Sequence, residues 1–109
     1  MAQTTRSTFA NIASSQTDAV IIAGDLNLRT IKVVSVAFVA GGTATNATFN
    51  SKGSGAGTAI SCLFANGANG GAILNRNEDG WFNTNAGEAL TLTTGGGSTT
   101  GVLVNYVYV

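Results

Sequence analysis

Clusters of glycine and asparagine interrupt this chain every few residues. Between them, β-branched and aromatic residues alternate with small or polar ones in runs too short for a helix. Helical periodicity is nearly absent, so the chain is confined to an all-β fold. The spacing predicts strands at Ser7 to Ala13, Ala19 to Ala23, Leu28 to Ala40, Ala47 to Lys52, Thr58 to Ala65, Gly71 to Asn75, Gly80 to Thr84, Ala89 to Thr94 and Gly101 to Val109. Gly41-Gly42, Gly53 to Gly57, Asn66-Gly67, Asn69-Gly70-Gly71, Asp79-Gly80, Asn85-Ala86-Gly87 and Gly95-Gly96-Gly97 supply residues that accept positive φ, as tight antiparallel turns require. Asn85-Ala86-Gly87 reads as a three-residue hairpin loop joining Trp81-Phe82 to Leu90 and Leu92. The expected fold is a single antiparallel β-sandwich of about eight or nine short strands, with the jelly roll as one form of it.

A chain of 109 residues makes one domain, which buries roughly two-thirds of the surface its unfolded form exposes. Residues 1–6 are expected to form a flexible N-terminal arm and residues 7–109 the sandwich. Only 9% of residues are charged, with five basic and five acidic side chains and a net charge of zero. Surface solubility therefore falls to Thr, Ser, Asn and Gly, and no charge repulsion opposes self-association. The basic residues stand singly, so there is no Lys/Arg cluster for nucleic acid or an anionic membrane. No apolar stretch approaches the roughly 20 residues of a membrane span, and Met1 to Ser7 is polar where a secretory signal would be apolar. These features lead to the expectation of a protein made and kept in a cytosol. Cys62 is the only cysteine and, within the apolar run Ala59 to Ala65, is expected as a small buried hydrophobe.

Two strands carry apolar residues on both faces. Strict alternation puts Ile31, Val33, Ala37 and Val39 opposite Lys32, Val34, Val36 and Phe38, and it puts Val102, Val104, Tyr106 and Tyr108 opposite Leu103, Asn105, Val107 and Val109. A sheet with one wet side alternates apolar with polar, so both faces need cover, either from a loop or from a neighbouring subunit. Val34, Val36, Phe38, Val104, Tyr106 and Tyr108 are the residues this reading offers as a subunit or capsid interface.

Catalytic chemistry finds few carriers. The chain has no histidine, which removes the commonest general base near neutral pH and the commonest metal ligand. The adjacent carboxylates Glu78-Asp79 precede Gly80 in a turn, where Asp is favoured for bonding its own backbone. With Asn75 and Asn77 they offer oxygen donors, but without the spacing or the carboxylate count of a calcium loop. The glycine-rich segments lack the Gly-Lys-Ser/Thr ending of a phosphate loop. Trp81, Phe82, Tyr106 and Tyr108 could stack on a sugar, although aromatics in strands more often fill cores, and Trp81 is expected inside the hairpin. No catalytic, cofactor or metal residue is assigned.

The runs Asn69-Gly70-Gly71-Ala72-Ile73-Leu74, Gly80-Trp81-Phe82-Asn83-Thr84, Gly87-Glu88-Ala89-Leu90-Thr91-Leu92 and Gly101-Val102-Leu103-Val104-Asn105-Tyr106 follow one another in an order that resembles small virion-associated proteins of tailed bacteriophages. Ile31-Lys32-Val33, Phe49-Asn50-Ser51 and Thr58-Ala59-Ile60 extend the resemblance to about Ala19 to Val109. It implies a compact β-sandwich without catalytic residues: a capsid decoration or cement protein, homo-oligomeric as a trimer or dimer, bound to the major capsid protein in the virion. Alternatives are a tail or tail-fibre module, or a soluble carbohydrate-binding module. Neither nucleic acid nor membrane is an expected partner, and no cofactor is expected.

Overall fold

The computed structural model describes residues 4–109, which form ten strands and no helix. They are β1 (Arg6–Ile12), β2 (Ala19–Ile22), β3 (Ile31–Ala40), β4 (Thr45–Lys52), β5 (Thr58–Ala59), β6 (Phe64–Asn66), β7 (Gly71–Leu74), β8 (Phe82–Asn83), β9 (Ala89–Thr94) and β10 (Thr100–Tyr108). Every pairing is antiparallel. One sheet runs β1-β10-β3, with β7 and β8 sharing the far side of β3. The other runs β2-β9-β4, with β5 and β6 sharing the far side of β4.

β5 and β6 act as one interrupted edge, and so do β7 and β8, which reduces the ten strands to eight. In chain order the sheets then read 1-8-3-6 and 2-7-4-5, the connectivity of a jelly roll, built as two Greek keys. Apart from the two interruptions, only the β4 to β5 connection stays within a sheet, and every other one crosses the sandwich. This corrects the hairpin expected at Asn85-Ala86-Gly87. Gly87 does adopt positive φ (77°), and Glu88 N–H bonds Asn85 C=O at 3.0 Å, but the turn carries the chain from β8 in one sheet to β9 in the other.

The core lies between the sheets. Ile31, Val33, Val36, Phe38, Val102 and Val104 face Ile22, Ala47, Phe49, Leu90 and Leu92. Phe49 sits at its centre, with ring centroids 5.0 Å from Phe82, 5.9 Å from Phe38 and 6.2 Å from Phe64. Buried hydroxyls tie the crossings to this core. Thr94 Oγ1 donates to Ala13 C=O at 2.7 Å and accepts from Gln16 N–H at 3.0 Å, while Ser51 Oγ donates to Glu88 at 2.7 Å and accepts from Asn85 N–H at 2.9 Å. Such groups would be costly if buried alone, and Thr94 and Ser51 each have two partners. The Thr and Ser content that the sequence assigns to the surface is therefore partly structural glue.

Three local features depart from the sequence reading. β3 begins at Ile31 rather than Leu28 because the Asp25 carboxylate accepts the N–H groups of Asn27 (3.3 Å) and Arg29 (3.1 Å), coiling the chain so that Leu28 lies at φ 58°. The expected strand Thr58 to Ala65 breaks into β5 and β6, and Cys62 in the break is exposed, not buried. A thiol reagent should therefore label Cys62 in the native protein as fast as in the denatured chain. Protection until unfolding would contradict this placement. Of the expected arm, residues 1–3 lie outside the described residues, Thr5 accepts a hydrogen bond from Arg76 at 3.0 Å, and Arg6 already pairs with Tyr106 in β1.

Candidate functional site

The two outer faces of the sandwich differ in chemistry. On the β2-β9-β4 sheet Val20 is exposed at the edge, and the outward residues of β9 and β4 beside it are largely polar and bonded to one another. Asn50 Nδ2 donates to Thr93 Oγ1 at 2.8 Å, Thr91 Oγ1 donates to Asp18 at 3.1 Å, and Gly57 N–H donates to the other Asp18 oxygen at 3.0 Å. Loops held by Asp18 cover this face closely enough to bury Thr91 completely.

The β1-β10-β3-β7 sheet is bare. Its register aligns Phe9, Leu103, Ala37 and Ile73 in one row across four strands, all on the outer face. The next row is Asn11, Gly101, Val39 and Gly71, and the row on the other side is Ser7, Asn105 and Ser35. Phe9 is 76% exposed, Ile73 74%, Leu103 50% and Val39 49%. These values put about 450 Å² of apolar surface on one face, within the size range of the largest patch on a typical monomer, which is often functional. Between the projecting side chains lies a groove of about 340 Å³ that includes Ala37 and Gly101 in its lining. No charged residue stands in the three rows. Along their border Asn105 bonds both Ser7 and, at 2.7 Å, Ser35.

The residues that sequence alternation offered as an interface lie elsewhere. Val34, Val36, Phe38 and Val104 are buried within the chain itself, so none can meet a neighbouring subunit. The cause is a β-bulge. Asn105 pairs with Ser35 and Tyr106 with Val33, leaving Val34 as an extra residue in β3. Past the bulge the inward set changes from Ile31 and Val33 to Val36, Phe38 and Ala40, which turns Ala37 and Val39 outward. Tyr106 and Tyr108 pack against the end of the core, their rings edge to face at 5.6 Å, and the Arg29 guanidinium lies 4.2 Å from the Tyr108 ring. Burial pushes the Tyr106 phenol above its ordinary pKa, so Tyr106 stays un-ionised through the physiological range.

Trp81 is also not in the core. It is 45% exposed and its Nε1 donates to Asn75 C=O at 2.7 Å, closing the loop that interrupts β7 and β8, while Phe82 turns inward onto Phe49. Two of the oxygen donors of that loop, Glu78 and Asn77, are engaged locally. Arg76 binds Glu78 and holds its carboxyl below the usual range, and Asn77 Oδ1 accepts from Asp79 N–H at 3.0 Å. Among the described residues no three His, Cys, Asp or Glu side chains gather as metal ligands, and no helix is long and apolar enough to cross a membrane.

Phe9 and Ile73 escaped the sequence reading. Phe9 had a legible sign, since it alternates in register with Ser7 and Asn11, and an aromatic on a polar face points to a partner.

No family model matches the chain, and no curated protein matches it. Among solved structures it is similar to a chain of the virus-like particle of the extra small virus of the giant freshwater prawn Macrobrachium rosenbergii. The two are 13% identical, over 99% of this chain and 79% of that one, with a TM-score of 0.42. That likeness is too slight to assign a role.

Proposed function

We propose that this chain is a non-enzymatic structural subunit of a virus particle, made in the host cytoplasm, and that it acts as a decoration or cement protein on the head of a tailed phage. The observation that carries the reading is the apolar face of the β1-β10-β3-β7 sheet, where Phe9, Leu103, Val39 and Ile73 are exposed side by side across four strands. Two further features support it. The jelly roll is an architecture used by viral capsid and lectin domains, an analogy of fold alone. The order of strands and turns resembles tailed-phage virion proteins. Cementing would work by multivalency: once one subunit of an oligomer docks on the major capsid protein, the others bind as if intramolecularly, and avidity exceeds single-site affinity by roughly 10² to 10⁴.

The half-exposed Trp81 ring favours a second reading, a tail, tail-fibre or carbohydrate-binding module in which the indole stacks on a sugar. Quantitative mass spectrometry of purified particles separates the two. Hundreds of copies per particle are expected for a head protein. A handful would move the chain to the tail, and none, together with Trp81 fluorescence that responds to added sugar, would leave only the carbohydrate module.

A further inference from the structure

We propose that the apolar face of the β1-β10-β3-β7 sheet binds a second copy of the same chain, face to face about a two-fold axis. The inference deepens the assembly reading above and rests on it only in taking this face as a contact surface.

Three observations point to a copy of the chain itself. The first is charge. The rows Ser7-Asn105-Ser35, Phe9-Leu103-Ala37-Ile73 and Asn11-Gly101-Val39-Gly71 hold no ionisable side chain, so a copy opposes the face without repulsion. The charges at its border, Arg76 and Glu78, are paired with each other, so a charged partner would find little to pair with there. The second is area. A stable interface takes about 800 Å² from each partner and is a little over half apolar. The roughly 450 Å² of exposed apolar surface would supply the apolar half of such a contact, with Ser7, Asn11, Ser35 and Asn105 at its rim.

The third is relief. Phe9 and Ile73 project at the two ends of their row, three strand spacings or about 14 Å apart, and the groove containing Ala37 and Gly101 lies between them. A surface that carries both the projection and the hollow can receive itself. A two-fold axis that seats Phe9 in the hollow of the second copy seats that copy's Phe9 in this one, and each contact is made twice. The opposite sheet cannot pair in this way, because its polar residues already bond one another under the Asp18 loops.

Gly101 allows a test that spares the fold. A Cβ there would come no closer than 3.6 Å to Asn11 and 3.9 Å to Val39, ordinary contact distances. Gly101→Lys therefore places a charge in the hollow without disturbing the sheet. Sedimentation equilibrium at micromolar concentration should show a dimer of the parent chain. Gly101→Lys and Ile73→Ser should each weaken it by about tenfold or more, since an apolar contact is lost or a charge buried unpaired. Far-ultraviolet circular dichroism should confirm that both variants keep the parent spectrum. Val20→Lys, on the opposite sheet, should leave the dimer intact. A monomeric parent, a trimer, a dimer that survives both substitutions, or one that Val20→Lys also dissolves would overturn the proposal. These outcomes are separable from the virion reading. A chain monomeric in solution yet abundant on particles ends the self-pairing alone, and a dimer absent from particles ends the virion role alone.

Discussion

Phe49→Ala is expected to cost about 3–5 kcal/mol, the largest loss any single truncation in this domain should produce. Phe49 has no exposed surface, and it is the ring on which Phe38, Phe64 and Phe82 converge from strands of both sheets. Removing it forfeits the transfer free energy of the ring. It also opens a cavity whose walls are strands in continuous ladders, which cannot collapse inward without breaking hydrogen bonds. Against a total stability of about 5–15 kcal/mol for a native domain, a loss of that size leaves the variant marginal. Thermal or urea unfolding, followed by circular dichroism at one fixed chain concentration, measures it. Trp81→Ala is the control. With the ring half exposed and a single hydrogen bond to Asn75, it should cost about 1 kcal/mol. If Trp81→Ala proves the more damaging of the two, the assignment of Phe82 rather than Trp81 to the interior is wrong.

That pair also marks where the sequence stops being legible. Alternation establishes that one of the neighbours Trp81 and Phe82 points inward and gives no reason to choose. The choice is made by the Asn75 carbonyl, which takes the indole N–H inside the edge loop. The strands themselves were legible because Gly and Asn clusters bound them, and each expected strand has a counterpart within a few residues. Turn chemistry is local, however, whereas the sheet that receives the next strand depends on partners far along the chain. Gly87 reads correctly as a positive-φ turn, but not as a crossing between sheets.

The bulge at Val34 had no signal, since Val33-Val34 carries neither glycine nor proline. A one-residue slip exchanges the faces of everything beyond it, and so strict alternation points to Val36 and Phe38 where the structure turns Ala37 and Val39 outward. The polar cover of the other sheet was equally hidden. Asp18 meets Gly57 and Thr91 only once the fold is formed.

Gly71→Ala and Gly101→Ala, a single methyl added to each of two strand glycines of the same sheet, should give opposite results. At Gly71 a Cβ would stand 1.8 Å from the Phe38 carbonyl oxygen and 2.7 Å from both the Phe38 carbonyl carbon and the Val39 Cα. All three are backbone atoms of β3, so no side chain can swing aside to make room. β7 must lift off β3 at its first residue, which strains the Val39–Gly71 pairing and the bond from Ala40 N–H to Gly70 C=O, now 2.8 Å. A loss of about 3 kcal/mol is expected, at the upper end for an overpacked site that can relax only by moving backbone. At Gly101 the same methyl meets nothing closer than 3.6 Å. It also removes the conformational freedom that makes glycine unfavourable in a strand, so stability should hold or rise by about 0.5 kcal/mol. Urea midpoints of the two variants and the parent, at one chain concentration, decide the matter. Equal losses would mean that glycine serves both positions through backbone conformation rather than space. A Gly71→Ala as stable as the parent would show that β7 does not approach β3 as closely as the structure places it.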